Sequence, residues 1–311
     1  MQIFLNVVLM ISGLALLIKG SDIFVDSSVN IARKLKVSPM LIGLTIVAFG
    51  TAAPEIVIST SSAIGGHSGL AMGNLIGSNI FNLIFILGLC SLIKPFNIEI
   101  KRFYKEFLFS ILAVILVLAM LLTSEDYIPT LFSASLLIVF AIYMFLIIKQ
   151  SSKTEASEEE FKDKPLYLSI ILVLVGLLAI IFGSELVVNS AVFKAETFGV
   201  TDRVIGLTVI AAGTSLPELS ISVLAFKKGR GDLAIGNIIG SNVFNILFIM
   251  GLTGSIAPLE VNPDLILDSL VLLIGSIITF VFLYTGKKLV RFEGAFLVAI
   301  YISYMLYTVF F

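Results

Sequence analysis

Apolar residues occur along this chain in long runs, separated by short breaks that hold charged or turn-forming residues. A helix needs about 20 apolar residues to cross the hydrocarbon core of a bilayer. Judged by that length, the runs predict ten membrane-spanning helices, called spans 1 to 10, centred near residues 12, 50, 80, 113, 137, 179, 213, 243, 274 and 300. Span 1 lacks a preceding basic residue and a small-residue cleavage site, so we expect it to be retained rather than cleaved as a signal peptide. The pattern predicts an all-α polytopic membrane protein, with the lipid bilayer as a partner.

The composition excludes several classes of protein. Of the 311 residues, 58% are hydrophobic and only 13% are charged, a balance that a soluble globular protein of this length does not have. Motifs of metalloproteases, Ser/His hydrolases and nucleotide-binding enzymes are absent from the sequence. With one histidine and one cysteine, the sequence offers no metal site built on imidazole or thiolate. We therefore expect no enzyme activity, no bound cofactor and no nucleic-acid partner.

Two stretches of the chain are nearly identical. Residues 73–89 and 236–252 match at 12 of 17 positions, at an offset of 163, and the same offset superimposes residues 50–55 on 213–218. The shared residues include Glu, Asn, Ser, Thr, Gly and Pro, which lie within runs apolar enough to cross a membrane. The chain is therefore interpreted as a tandem duplication.

Each repeat holds five predicted spans, so the second repeat enters the membrane upside down relative to the first. The predicted organisation is a first five-helix repeat at residues 1–148, a polar cytoplasmic linker at 149–165, and a second, inverted five-helix repeat at 166–311. Of the 20 Lys and Arg residues, 17 lie in the loops of one face, and such residues concentrate in cytoplasmic loops. We expect a multi-pass protein of the cell (cytoplasmic) membrane with both termini outside.

Span 2 carries a break at the depth of the bilayer centre. Between Val37 and Ile64 the sequence is apolar on both sides of Gly50-Thr51-Ala52-Ala53-Pro54-Glu55, and span 7 repeats this around Gly213-Thr214-Ser215-Leu216-Pro217-Glu218. Proline displaces the carbonyl four residues earlier, which frees backbone oxygens at each break. A carboxylate at this depth costs a few kcal/mol even on lenient insertion scales, so two at equivalent positions indicate a functional site.

Spans 3 and 8 carry a complementary polar stripe. Asn74, Ser78 and Asn82 recur every four residues and so lie on one helix face. In span 8 the equivalent residues are Asn237, Ser241 and Asn245. Each stripe is accompanied by two glycines spaced four apart, a pattern that lets another backbone approach closely. The stripes are therefore expected to lie against the broken spans.

The predicted site consists of two carboxylates, amide and hydroxyl oxygens, and freed backbone carbonyls. Such an all-oxygen cage suits Ca²⁺, which takes six to eight oxygen ligands, better than Mg²⁺, which prefers a strict octahedron. Two glutamates balance one Ca²⁺, two Na⁺ or two protons, so competition at a shared site would give antiport. Na⁺/Ca²⁺ exchange and Ca²⁺/H⁺ exchange both remain open, and a cation channel is a third, weaker alternative.

With these motifs, the chain resembles the prokaryotic sodium/calcium exchangers of the cation/calcium exchanger superfamily. GTAAPE with GNLIGSNIFN is similar to the first alpha-repeat of that family, and GTSLPE with GNIIGSNVFN to the second. The resemblance implies ten helices, in which spans 2, 3, 7 and 8 form the core and spans 1 and 6 slide across it as gates. It also implies a protein that functions as a monomer.

The resemblance further implies roles for single residues. Glu55 and Glu218 would be the shared calcium ligands, joined by the main-chain carbonyls of Thr51 and Thr214. The flanking sodium sites and the centre would be completed by the carbonyls of Ala48 and Ala211, the hydroxyls of Ser78, Ser215 and Ser241, and the amides of Asn82 and Asn245.

At two positions the chain departs from the pattern of the family. Ala52 stands where relatives often have a serine, and Asn245 where some sodium-coupled relatives have an aspartate. Spans 1 and 6 add the acidic residues Asp22, Asp26 and Glu185. We expect Lys19, one turn from Asp22, to neutralise that carboxylate, and a role of these acids in the ion access path is the alternative.

Overall fold

The structure is a computed structural model that describes residues 2–97, 100–150, 164–197, 211–286 and 288–310. Nearly all of these residues are helical, as the apolar runs predict. The predicted linker at 149–165 falls almost wholly outside the described residues, and so does the first part of span 7. The α-helices, in chain order, are α1 Gln2–Leu35, α2 Pro39–Ile42, α3 Ala48–Thr51, α4 Ala53–Ile64, α5 Ser68–Ile80, α6 Leu87–Ile93, α7 Ile100–Thr123, α8 Thr130–Gln150, α9 Leu166–Thr197, α10 Ala211–Thr214, α11 Leu216–Lys227, α12 Gly231–Val243, α13 Met250–Ile256, α14 Pro263–Gly286 and α15 Arg291–Phe310.

Three of the junctions between these helices are π-helical turns, in which one extra residue is accommodated without ending the helix. They join α2 to α3 at Gly43–Val47, α5 to α6 at Phe81–Ile86, and α12 to α13 at Phe244–Ile249. The last two turns lie at the same offset of 163 as the sequence repeat. Each of these two joined helices is therefore a single long rod through the molecule.

Among the described residues, eight helices are long and apolar enough to cross a membrane, and a ninth span is formed by the bent pair Pro39–Thr51 and Ala53–Ile64. An apolar window of 18 residues within Gly231–Ile256 is 94% buried, and one within Ser68–Ile93 is 72% buried. By contrast, the corresponding windows of Thr130–Lys149 and Arg291–Phe310 are only 17% and 11% buried. The two rods with the polar stripes therefore form the centre, and α8 and α15 present their apolar sides to lipid.

Two short antiparallel ladders mark the two faces of the molecule. β1 (Phe96–Asn97) pairs with β4 (Lys288–Leu289), and β2 (Tyr127–Ile128) pairs with β3 (Leu259–Glu260). The first ladder joins the loops at the face where α6 ends and the 149–165 segment begins, called the linker face. The second ladder lies at the opposite face, called the terminal face.

The rods α5–α6 and α12–α13 begin at opposite faces. The hydroxyl of Ser68, at the start of α5, accepts a hydrogen bond from the backbone N–H of Glu260 in β3, which places the start of α5 at the terminal face. The rod α12–α13 ends next to β3, so its start lies at the linker face. Asn30, near the end of α1, donates to the carbonyl of Lys164 and to the Ser169 hydroxyl, which places that end at the linker face too.

Helices α1 and α9 lie against each other through glycines. A Cβ atom at Gly13 would lie 2.7 Å from the carbonyl oxygen of Gly183, and one at Gly20 would lie 2.9 Å from that of Gly176. The backbones therefore touch at two points, seven residues apart on each helix. This contact makes α1 and α9 a closely packed two-helix unit beside the central rods.

The predicted glycine pattern of span 8 is also used for close helix packing. A Cβ atom at Gly236 would lie 2.6 Å from the carbonyl oxygen of Met40, and one at Gly240 would lie 2.7 Å from the Cβ of Ala48. The helix that contains α2 and α3 therefore rests directly on α12. In the first repeat, no described atom lies within 4 Å of a Cβ added at Gly73 or Gly77. The segment equivalent to 35–47 is 198–210, which lies outside the described residues.

We expect Gly236→Ala to lower stability by about 1–3 kcal/mol, because the added methyl group overlaps the Met40 carbonyl and the helices must separate. Gly69→Ala is the matched control, since nothing lies within 4 Å of its added Cβ. The midpoint of thermal unfolding of the purified protein in detergent measures both. Equal midpoints for the two variants would contradict the close contact between α2 and α12.

Candidate ion-binding site

The predicted break in the first repeat is present in the structure. Helix α3 ends at Thr51, Ala52 leaves the helical conformation at φ −76° and ψ 2°, and α4 begins at Ala53. Because Pro54 has no N–H to donate, it is tolerated in the first turn of the new helix, and Glu55 follows it there. The two helical segments are bent by 46°.

The second break has the same backbone geometry. Ser215, between α10 and α11, has φ −92° and ψ 10°, and Pro217 occupies the first turn of α11. Pro217 cannot donate to the carbonyl four residues earlier, that of Gly213. That carbonyl instead accepts a hydrogen bond of 2.9 Å from the Ser184 hydroxyl of α9, which confirms that the break frees a backbone oxygen for another partner.

Both glutamates are fully buried, Glu55 at 0% and Glu218 at 1% exposure. Each lies in the first turn of its helix, where the aligned peptide dipoles favour a negative charge. Ser215 donates to Glu55 Oε1 over 3.4 Å, and Ser241 donates to Glu218 Oε1 over 3.5 Å. No described donor reaches the Oε2 atom of either carboxylate. The Ser215 contact shows that the residue before α11 reaches the carboxylate of α4, so the two breaks meet.

The threonines of the two breaks contact the polar stripe of the opposite repeat. The Thr51 hydroxyl lies 3.3 Å from Asn237 Oδ1 and 3.4 Å from the Ser241 hydroxyl. A hydroxyl has one proton, so only one of its contacts is donated at a time and the rest of its oxygen is free to accept. The residues at the offset of 163 repeat the contacts at the same distances, Thr214 with Asn74 and Ser78.

Two serines that were not among the predicted site residues accept hydrogen bonds from the side-chain amides of Asn74 and Asn237. Asn74 donates through Nδ2 to the Ser59 hydroxyl over 3.1 Å, which leaves its Oδ1 directed at Thr214. Asn237 donates in the same way to Ser222 over 3.2 Å. Each serine follows its glutamate by four residues and therefore lies on the same helix face. That spacing, repeated in both halves, was the available signal.

Asn79 and Asn242 were also missed, and they join the two central rods. The Nδ2 of each donates to the main-chain carbonyl of the other over 3.4 Å. Asn79 Oδ1 also accepts from Asn245 Nδ2 over 3.0 Å. These two asparagines are 163 residues apart, so each bonds to its own counterpart in the other repeat. An amide beside the stripe in both halves was the signal for them in the sequence.

Asn82 and Asn245, which were predicted to complete the centre, lie in the π-helical turns Phe81–Ile86 and Phe244–Ile249. π-Helical turns occur frequently at functional sites. Both side chains are buried, at 0% and 1% exposure. Neither polar atom of Asn82 has a described hydrogen-bond partner, and Asn245 has one only through Nδ2. The equivalent residues are therefore not equally bonded, and Asn82 is the one with both polar atoms available.

Several buried oxygens of the two glutamates and of asparagines on the two rods have no described donor. A buried carboxylate or amide oxygen without a donor costs free energy, which a cation offsets by accepting those oxygens as ligands. The donor set contains no nitrogen or sulfur ligand, which suits a hard cation such as Ca²⁺ or Na⁺. The atoms concerned are Glu55 Oε2, Glu218 Oε2, Asn82 Oδ1, Asn242 Oδ1 and Asn245 Oδ1.

Two of the predicted sodium ligands are the main-chain carbonyls of Ala48 and Ala211. The Ala48 carbonyl accepts from the N–H of Ala52 over 3.0 Å. The Thr51 hydroxyl lies 3.3 Å from it and the same distance from Asn237 Oδ1, so its one proton is donated to only one of the two at a time. Ala211 begins α10, and the segment before it, 198–210, is outside the described residues. The role of both carbonyls stays a prediction.

Outside the centre, the structure changes the expected partner of Asp22. Among the described residues, the cation that lies against Asp22 is Lys228, not Lys19. Lys228 is in the turn after α11, and it also contacts Asp26. Helical spacing alone cannot reveal this pairing, because the lysine is about 200 residues away in the chain and only the packing of α1 on α11 brings it close.

Comparisons with known proteins show the family of this chain. The family model described as "Sodium/calcium exchanger protein" matches residues 5–149 and 168–310, which together make up most of the chain. The chain belongs to the sodium/calcium exchanger family. The resemblance inferred from the two repeats is thereby confirmed, and the chain is a multi-pass membrane protein of a family of transporters and not of enzymes.

Individual relatives cover nearly the whole chain. The sodium/calcium exchanger MaX1 of Methanosarcina acetivorans is 31% identical, over 98% of this chain and 98% of its own. The inner membrane protein YrbG of Escherichia coli is 32% identical, over 82% of this chain and 81% of its own. A solved structure of the sodium-calcium exchanger NCX_Mj, soaked with Na⁺ and Ca²⁺, matches with a TM-score of 0.83 at 34% identity and covers 96% of each chain.

We expect Asn79→Leu to destabilise the protein by about 1–3 kcal/mol, because it removes the two hydrogen bonds of the Asn79 side chain and leaves the main-chain carbonyl of Asn242 and the Nδ2 of Asn245 without that partner. Asn189→Leu on the exposed side of α9 serves as the control. The readout is the midpoint of thermal unfolding in detergent. If both variants unfold at the wild-type temperature, the cross-repeat bonds do not stabilise the fold.

Proposed function

We propose that the protein is a secondary active antiporter that exchanges Ca²⁺ for Na⁺ by alternating access, at a midplane site shared by Glu55 and Glu218. The observation that carries this proposal is the meeting of two buried carboxylates at two helix breaks. Each carboxylate keeps one oxygen that no described group donates to. Ca²⁺ neutralises both charges at once, and two Na⁺ neutralise them equally, so the two cargoes compete for the same oxygens.

The proposed ligands are those of the resemblance, namely the two glutamates, the carbonyls of Thr51 and Thr214, and for Na⁺ the surrounding amides and hydroxyls. Support comes from the contacts that gather these residues from four helices into one place. The names of MaX1 and NCX_Mj state sodium/calcium exchange for those two proteins. We extend that activity to this chain as part of the proposal, with no cofactor and with the monomer as the working unit.

We further propose ten membrane-spanning helices in two inverted repeats, at residues 1–148 and 166–311, joined by the 149–165 linker. Nine spans are found among the described residues, and residues 198–210 with α10 and α11 correspond by the offset of 163 to the bent span of the first repeat. The opposite starting faces of α5 and α12 support the inversion. By the distribution of Lys and Arg, the linker face is cytoplasmic and both termini are outside.

Exchange of Ca²⁺ for H⁺ is the second candidate, and one observation favours it. Ser215 donates a hydroxyl to Glu55 from the second break, whereas the equivalent residue in the first break is Ala52, which is buried and has no hydroxyl. The side of the site next to Glu218 therefore has one oxygen fewer for a sodium ion. A carboxylate with fewer oxygen neighbours is better suited to carry a proton.

Calcium uptake into proteoliposomes distinguishes these candidates. The purified protein is reconstituted, and uptake of radioactive Ca²⁺ is compared under an outward sodium gradient and an outward proton gradient at the same calcium concentration. We expect uptake with the sodium gradient. Uptake driven only by protons would replace the proposal with Ca²⁺/H⁺ exchange, and uptake that needs no counter-ion on the far side would indicate a channel.

We expect Glu55→Gln and Glu218→Gln each to reduce gradient-driven calcium uptake by more than about 100-fold, since loss of a group that only orients a metal ligand already costs 10- to 100-fold. Glu125→Gln, on an exposed carboxylate near the terminal face, should leave uptake unchanged. Size-exclusion profiles and unfolding midpoints confirm that the variants are folded. Wild-type uptake by either site variant would contradict the shared glutamate site.

A further inference from the structure

An ion pair with three members joins α1 to the turn after α11. The ammonium of Lys228 lies 2.7 Å from Asp22 Oδ1 and 2.6 Å from Asp26 Oδ1, and it also approaches the main-chain carbonyl of Asp22 at 3.4 Å. This set, Lys228 with Asp22 and Asp26, is called the Lys228 bridge. Its side chains are 25%, 47% and 42% exposed, so the bridge lies at the border between the packed interior and solvent.

The bridge lies at the linker face, at one end of a polar seam between α1 and α11. Deeper in the same seam, the buried hydroxyl of Ser21 donates to that of Ser220 over 2.9 Å. Ser220 is two residues beyond Glu218 in α11 and so lies on a different face of that helix from the glutamate. The seam therefore runs along the side of α11 that faces α1, and the Lys228 bridge closes its outer end.

The equivalent place in the other repeat has the same backbone and no bridge. At the offset of 163, Lys228 corresponds to Gly65, and both have nearly the same conformation, φ −79° and ψ 1° against φ −74° and ψ 2°. The following glycines, Gly229 and Gly66, both have a positive φ, of 74° and 81°. The two turns are therefore superimposable, but the turn at 65–67 contains no lysine or arginine.

One acidic partner is present on that other side. Asp22 corresponds to Glu185 of α9, whereas Asp26 corresponds to the uncharged Asn189, and both residues of α9 are exposed. With Gly65 in place of the lysine and Asn189 in place of one aspartate, the equivalent turn lacks two of the three members of the bridge. The Ser21–Ser220 contact of the seam has no such counterpart either, because Val57 corresponds to Ser220 at the offset of 163.

The two-helix unit of α1 and α9 is held together more closely than it is held to the rods. Backbone touches backbone at Gly13 with Gly183 and at Gly20 with Gly176. Its polar bonds to α10 and α11 include the Ser21 and Ser184 contacts and the Lys228 bridge. A charged contact at one end of such a unit favours the arrangement in which that end is closed.

We propose that the Lys228 bridge is a one-sided latch that holds the α1–α9 unit closed at the linker face and so biases the protein toward the state that is open at the terminal face. The inference rests on the antiport mechanism proposed above. Ions reach the linker face only when α1 and the turn at Lys228 separate, which breaks both ion pairs. At the terminal face the equivalent turn has Gly65 in place of the lysine, so opening of that turn does not break a bridge of this kind.

The latch is charged under ordinary conditions. Burial by itself lowers the pKa of the Lys228 ammonium, but the hydrogen bonds and charges of Asp22 and Asp26 outweigh that effect and leave the pKa raised above its ordinary value of 10.5. Because the pKa of this basic group is raised, the bridge contributes its full stabilisation at neutral pH. That stabilisation is lost only at alkaline pH, as the pH rises above 10.5 and through the raised pKa. Salt, rather than neutral pH, is therefore the condition that weakens the bridge.

The test measures the distance between α1 and a central rod at the linker face. Spin labels are placed on Leu35→Cys and Ile93→Cys, both exposed residues at that face, in a Cys90→Ala background that removes the only native cysteine. Pulsed electron paramagnetic resonance of the labelled protein in lipid nanodiscs then gives the distribution of distances between the two labels. We expect one main distance in the protein with Lys228, and a second, longer distance in Lys228→Met with its population raised about fivefold, the upper range for a partly exposed ion pair.

Lys227→Met is the matched control. Lys227 is exposed, lies next to Lys228 and is not part of the bridge, so this substitution removes the same charge and leaves the bridge intact. Its distances should match those of the parent. Lys228→Asp combined with Asp26→Lys restores an ion pair in the reverse sense and should restore the parent distribution. If Lys228→Met does not fold, the parent is measured instead in about 1 M choline chloride, where the Debye length is about 3 Å and the longer distance should increase.

An unchanged distance distribution in both Lys228→Met and high salt would overturn the latch. Calcium uptake by the same variants separates this failure from that of the antiporter. When the linker-open state is more populated, the apparent affinity for Ca²⁺ at the linker face should rise by about the same factor of five. If the parent shows normal gradient-driven uptake and the distances are unchanged in the variant, only the latch is rejected. If the parent shows no uptake, the antiport mechanism is rejected, and the distances still show whether the bridge holds α1 at the linker face.

Discussion

The constraint on which the structure depends is the burial of two carboxylates in the middle of a membrane protein. A carboxylate removed from water is stable only with oxygen-seeking partners, either donors or a cation. Here the described donors are hydroxyls, among them Ser215 for Glu55 and Ser241 for Glu218, and they leave one oxygen of each glutamate without a described partner. Those two carboxylate oxygens suit the site to hold positive charge.

The helix breaks follow from this constraint. A continuous helix would direct all of its backbone carbonyls along its own axis, and the carboxylates would face only apolar neighbours. Proline and the preceding non-helical residue start a new helix at the depth of the site, so Glu55 and Glu218 lie at helix N-termini. The breaks are tolerated because they are buried in protein, against the most buried rod of the molecule, and not exposed to lipid.

The sequence predicted the parts of this arrangement that repeat. The two breaks, the two stripes and their burial follow from the offset of 163 together with helical spacing. Ser59 and Asn79 also repeat at that offset, so the sequence marks them as candidates, but the residues that they bond to depend on which helices pack together. The partner of Asp22 was not predictable in this way, because Lys228 comes from a turn in the other repeat while Lys19 is the nearer residue in the chain.

The π-helical turns give the central rods a property that a plain helix lacks. One extra residue in a turn rotates everything after it by about 100° about the helix axis, so the faces of the rod before and after the turn are set independently. Before the turn, the face of α5 with Asn74 lies toward Thr214. After the turn, Gly88 of α6 lies against Gly294 of α15. A Cβ atom added at Gly88 would lie 2.9 Å from the carbonyl oxygen of Gly294. One rod thus contacts two neighbouring helices through faces that regular α-helical spacing does not relate. A helical wheel drawn across Phe81–Ile86 therefore assigns the residues beyond that turn to the wrong face.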